Sequence, residues 1–215
     1  MSNPESFIDE VTDEVRRDKL FAFFKRWGWI GIAAVLLIVG GASVNEYRKA
    51  RHQAESEAFG DAVLSAMDID DPAVRRAALA EVPATGSRAG LLGLLLSADP
   101  VSDRPAALAA LEAVAADQSL SPSYRDLAVL RRVLVAGADM PAAERRALLD
   151  PIAAPGRPYR AMALEQLALI QIEQGETDGA LTALQALQQD QEASATLRSR
   201  VAQVIVALGG PSATE

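Results

Sequence analysis

From Trp27 to Asn45 the chain runs nineteen residues without a charged side chain. Coiled into an α-helix at about 1.5 Å per residue, that run reaches about 28 Å, close to the hydrocarbon thickness of a bilayer. Its interior, residues 29–39, reads Trp-Ile-Gly-Ile-Ala-Ala-Val-Leu-Leu-Ile-Val and contains no proline. Every backbone N–H and C=O inside it can therefore be satisfied within the helix, as lipid demands. Lys25 and Arg26 bound the run on one side, and Arg48, Lys49 and Arg51 on the other. Trp27, Trp29 and Tyr47 lie at its ends, where amphipathic rings favour the membrane–water boundary. Lys25, Arg26, Trp27, Trp29, Tyr47, Arg48 and Lys49 are thus the expected interface anchors. A core helix of a soluble protein rarely lacks charge for so long. A cleaved signal is the other competitor, with Gly40 and Ala42 as small residues near a cleavage site, but six acidic residues precede an overlong apolar run.

Five basic residues precede the span (Arg16, Arg17, Lys19, Lys25, Arg26) and three follow closely. This bias predicts a cytoplasmic N-terminus and a C-terminal part on the periplasmic side of an inner membrane. Residues 1–26 read as an amphipathic arm. Asn3 and Pro4 supply a cap and a first helical residue, and Phe7, Val11 and Val15 recur every four positions. Such an arm lies on the headgroups, extends the membrane helix, or serves as a cytoplasmic docking helix for a membrane partner. No G-x-x-x-G occurs within residues 27–45, so homodimerisation through the membrane is not supported.

Composition narrows the chemistry. Cysteine is absent and histidine occurs once, as His52, which removes thiolate zinc sites, cysteine nucleophiles and multi-histidine centres. The net charge is -8, and beyond residue 45 sixteen basic residues face twenty-three acidic ones. An acidic soluble part disfavours a nucleic-acid partner. Phosphate-cradling and nucleophile-elbow motifs are missing. Asp68, Asp70 and Asp71 crowd together, but Pro72 breaks the alternation a calcium loop requires, and capping explains them better. Arg131-Arg132 and Arg145-Arg146 read as solvated faces or partners one turn apart. No enzymatic activity, cofactor or metal is expected.

After the membrane, proline and glycine cut the chain at Asp71-Pro72, Pro83 to Gly86, Asp99-Pro100, Ser121-Pro122, Met140-Pro141, Pro155 to Pro158, Gly175 and Gly209-Gly210-Pro211. Between the cuts lie segments rich in Ala, Leu, Arg, Glu and Gln, all good helix formers. The fold class predicted is all-α: one N-terminal transmembrane helix followed by an α-solenoid of helix pairs. Leu91, Leu94, Leu108, Leu111 and Val114 recur 73 residues later as Leu164, Leu167, Leu181, Leu184 and Leu187, and Ala107 returns as Ala180. Leu127 and Leu130 repeat Leu91 and Leu94 after 36. A period in the mid-thirties built from two short helices is a solenoid signature.

Leu164, Leu167 and Ala168, then Gly175, Ala180, Leu184 and Leu187, resemble a tetratricopeptide (TPR) repeat, although Leu164 stands for its tryptophan, Gln171 for an aromatic and Glu192 for its closing proline. The whole layout, with Arg26-Trp27-Gly28-Trp29 opening the span, Glu46-Tyr47-Arg48-Lys49 leaving it, and a TPR-like tail, resembles the YfgM-type ancillary subunits of the SecYEG protein translocon. That resemblance implies an inner-membrane protein with a periplasmic TPR-like domain. It also implies as partners the translocon and a membrane-anchored periplasmic chaperone, in a role linking translocation to chaperones. A TPR-like scaffold of another envelope or cell-division complex is the alternative. The expected organisation is arm 1–26, span 27–45, stalk 46–72, repeat domain 73–209 and flexible tail 210–215. Because aromatic and arginine anchors dominate interfaces, Tyr124, Arg125, Tyr159 and Arg160 are candidate partner contacts. The spacing of Pro-Ser-Tyr-Arg (122–125) and Pro-Tyr-Arg (158–160) also fits matching core or cap positions of two repeats, the plainer reading.

Overall fold

The computed structural model describes residues 4–211, with side chains from Lys25, residues 29–31 and residues 33–211. These residues form helices joined by turns, with no strand among them. They divide into two compact units, Met1–Gly60 and Asp61–Glu215.

The first unit is carried by α1 (Pro4–Met67), which is unbroken through the apolar run and well beyond it. Residues 35–39 are 59, 67, 77, 72 and 57% exposed. Five successive helical residues sample the full circumference, so no side of the rod is covered by protein. Among the described residues α1 is the one helix long and apolar enough to cross a membrane. Past the run, pairs one turn apart support the exposed helix: Arg51 Nε donates to Glu55 at 3.0 Å and Gln53 Nε2 to Glu57 at 2.9 Å. The faces expected for the arm, the Asn3 cap, and the side chains of Arg26 and Trp27 lie outside the described residues.

The second unit begins at Asp61, earlier than the sequence boundary at residue 72, because the end of α1 already belongs to it and Ala66 is buried. It continues with α2 (Pro72–Ala80), α3 (Ser87–Leu96), α4 (Arg104–Ala116), α5 (Pro122–Ala136), α6 (Ala142–Leu149), α7 (Arg160–Glu173), α8 (Thr177–Gln188) and α9 (Ala195–Ala207). The starts follow local grammar. Asp71 Oδ1 accepts from Ala73 N and Val74 N and caps α2 at its proline, while Pro122 opens α5. The ends are equally legible. Gly175 and Gly209 take φ of 78° and 82°, and the following N–H groups bond back to Gln171 O and Ile205 O, closing α7 and α9 with six-to-one bonds.

From α2 onward each helix packs on the next, and α3 also meets α5. Three core clusters overlap along the chain. Leu94, Leu111, Val114 and Ala128 join α3, α4 and α5; Leu130, Leu149 and Ile170 join α5, α6 and α7; Ala168, Leu184 and Val201 join α7, α8 and α9. At the 73-residue offset Ala107 and Ala180 are both 0% exposed, as are Leu111 and Leu184, whereas Leu94 is buried and Leu167 only partly so, and Leu91 is more exposed than Leu164. Alanine at both positions lets neighbouring helices approach without a cavity.

Gly93 is the tightest crossing. A Cβ there would lie 2.3 Å from Val114 Cγ2 on α4. Gly93→Ala gains about 1 kcal/mol of helix propensity but forces overpacking that costs about 1–3 kcal/mol. Urea denaturation is expected to show net destabilisation, and Gly93→Ala/Val114→Ala to remove the clash at the cost of lost burial. A variant more stable than wild type would contradict the packing described.

Candidate interaction surface

The side chains that hold successive helices in place are mostly arginines. Arg104, opening α4, donates to Val135 O at 2.9 Å, to Ala136 O and to Asp139, all at the far end of α5. Arg131 on α5 reaches the end of α3, donating to Leu94 O at 3.1 Å and Ser97 O at 3.0 Å. Helix C-termini expose carbonyls with no intrahelical partner and carry partial negative charge, so a guanidinium suits both needs. Arg145 on α6 grips Glu173 at the end of α7 and Met140 O; Arg160 on α7 grips Asp190 and Glu192; Arg200 on α9 holds Glu165 on α7 with two bonds.

The twin pairs Arg131-Arg132 and Arg145-Arg146 are thus neither solvated faces nor partners one turn apart. Arg132 lies between Glu112 and Glu144, and Arg146 pairs with Glu176, thirty residues away. The reason is geometric: a long fork directed between helices finds carbonyls and carboxylates that the same helix cannot supply. Sequence reasoning missed this brace, since the partner of each guanidinium is set by tertiary approach and becomes regular only once the helices are packed. Arg104 with Asp139, Arg145 with Glu173, and Arg160 with Asp190 all recur about one helix pair apart.

These pairs respond to acid. The Arg145 guanidinium holds the Glu173 carboxyl below its ordinary 4.5. The Glu192 N–H, and then Arg160, hold Asp190 below 3.8. A carboxyl more acidic in the folded than in the unfolded state contributes stability above its unfolded pKa and loses it as pH falls through its folded one. The domain should therefore be fully stabilised by these two groups above about pH 5 and weaken progressively below about pH 4. Thermal unfolding followed across pH 2.5–7 is expected to show a shallower acid limb in Glu173→Gln/Asp190→Asn than in wild type.

The four candidate contacts are partly buried and engaged within the fold. Tyr124 packs against the α3–α5 cluster and Tyr159 against the α5–α7 cluster, both half-buried. Arg125 Nη1 donates to Gln118 at 2.6 Å, and Arg160 is held by its two acids. Tyr47 and Trp29 are 70 and 66% exposed on α1, and Lys25, Arg48 and Lys49 are exposed with them. His52 is exposed, 3.8 Å from Glu55. Among the described residues no three His, Cys, Asp or Glu side chains converge as they would around a metal.

The surface with the shape to receive a partner lies elsewhere. Between α2, α3 and α4 runs an open groove of about 410 Å³. Ala80, Ala89, Ala110 and Ala113 line it with methyl groups over Leu92 and Val114, and Asp117 is its one charged lining residue. A Ser119 hydroxyl and N–H bond to Asp117 and hold its carboxyl below the ordinary value. The short side chains of α3 and α4 create the groove, and such a run of alanines carries no motif by which sequence alone would single it out. Compared with known proteins, the chain matches no family model, no curated protein and no solved structure.

Proposed function

We propose that this chain is a single-pass inner-membrane protein whose TPR-like helical domain works by binding other proteins in the periplasm, as an accessory subunit of the Sec translocon linking translocation to membrane-anchored chaperones. The observation that carries the reading is the pairing of an apolar rod exposed on every side with a domain built of consecutively packed helices. An exposed apolar surface of that extent is stable in lipid and not in water. The solenoid reading is supported by the overlapping cores and by the full burial of Ala107 with Ala180 and of Leu111 with Leu184, 73 residues apart. Stacked helix pairs offer extended faces for partner chains.

Photo-crosslinking in living cells from Tyr47 and from Val101, which is 96% exposed, tests the assignment. Translocon subunits or a tethered chaperone are the expected adducts. Their absence from both positions, with adducts to division or other envelope proteins instead, would replace the Sec assignment by that of a scaffold.

A further inference from the structure

Charge in the soluble unit is spent unevenly. Its basic residues are thirteen arginines and no lysine. Every one makes an intramolecular contact: Arg75, Arg125 and Arg198 near their own helix ends, the others across helices, with Arg88 also engaged. Carboxylates are left over. Glu81, Asp150 and Asp178 have no side-chain partner among the described residues. What this unit has left to offer a partner electrostatically is negative.

The groove between α2, α3 and α4 combines that surplus with an apolar floor. Asp117, its one charged lining residue, keeps an acidic carboxyl through the Ser119 hydrogen bonds with Arg125 nearby, and exposed Glu81 lies in the chain between the lining residues Ala80 and Val82. The notch between α4 and α6, of about 340 Å³, holds Asp139 and Glu144, but Arg104 pairs with the first inside it and Arg132 lies 3.9 Å from the second. The notch beside α2, of about 320 Å³, sets Arg75 and Arg76 against a single acid, Asp99.

We infer that the α2–α3–α4 groove binds a polypeptide segment presenting a bulky apolar side chain flanked by lysine or arginine. The methyl-lined floor takes the anchor, since short side chains leave space that leucine or phenylalanine fills. Glu81 and Asp117 select the flanks by charge and disfavour acidic sequences. This rests on the interaction role proposed above and names the chemistry of the partner.

The test uses full-length protein in zwitterionic nanodiscs and three fluorescein-labelled peptides of equal length: leucine and phenylalanine among lysines, the same with glutamate for lysine, and the same with serine for the apolar residues. Fluorescence anisotropy is expected to show saturable binding of the first alone. Ala113→Trp, at an exposed lining position, should weaken it about tenfold by filling the floor. Glu81→Lys should weaken it about threefold at low salt and less at high salt. No binding of the first peptide, equal binding of the glutamate peptide, or unchanged binding to Ala113→Trp would overturn the inference. If translocon crosslinks persist in a protein whose groove binds nothing, the site falls and the function stands; if the peptide binds and those crosslinks are absent, the reverse holds.

Discussion

Leu36→Lys/Leu37→Arg is expected to abolish stable membrane integration of the full-length chain. Both residues sit at the middle of the apolar run and are among its most exposed, at 67 and 77%. A lysine or arginine at the centre of a spanning helix costs about 2.5–3.5 kcal/mol each on the insertion scale. The pair therefore opposes insertion by about 6 kcal/mol, on the order of a 10⁴-fold shift. Neither side chain can snorkel easily, because each end of the run is about nine residues away. Alkaline-washed membranes should retain wild type and Val35→Leu and lose the double variant. Equal retention of all three would mean that the run is not what holds the protein to the membrane.

Arg157→Ala should give the largest loss of stability among single changes in the soluble unit. Asp126 on α5 is 3% exposed at its side chain, and among the described residues its one partner is the Arg157 guanidinium from the turn before α7. Its second carboxylate oxygen is buried and already unpartnered, as is Arg157 Nε. Deleting the arginine strands a buried charge, at a cost of about 3–5 kcal/mol. For a domain of this size that corresponds to a fall in Tm of roughly 10 °C. Asp126→Leu/Arg157→Met should recover most of the loss, because replacing a buried pair by apolar groups is often near neutral. Calorimetry of the single and double variants decides it, and a single variant within 2 °C of wild type would contradict the assignment.

The contrast between these two sites explains what the sequence could reveal. A membrane span is written in consecutive residues, so its presence is local information. The helix boundaries are local too: Asp71 before Pro72 and Gly175 after α7 fix backbone geometry through neighbours alone. The offset of 73 residues carried further, since Ala107 and Ala180 must both be small where helices cross. The braces were not legible because a guanidinium's partner is set by tertiary approach. Arg131 finds Leu94 O, a backbone group present at every residue. Tyr124 and Tyr159 illustrate the limit from the other side. Scarce aromatics suggest interface anchors, yet the fold uses both as partial core, and the apolar groove is built from alanines that attract no notice in a sequence.

The brace also limits what the second unit can offer an anionic surface. With its arginines occupied by carbonyls and carboxylates, no free cationic patch remains among its described residues. On the proposed reading, attachment falls to the apolar run of α1 and to the exposed Arg48 and Lys49 that follow it.

The central claim, that α1 threads a bilayer, is tested most directly by spin labels placed singly along residues 29–52 of the full-length protein in lipid vesicles, with collision rates measured for oxygen and for a water-soluble nickel complex. The account predicts oxygen access rising and nickel access vanishing across residues 29–44, centred near Leu36, with the order reversing between Tyr47 and Arg51. Nickel access throughout, or a helical alternation of the two with one face always wet, would contradict it.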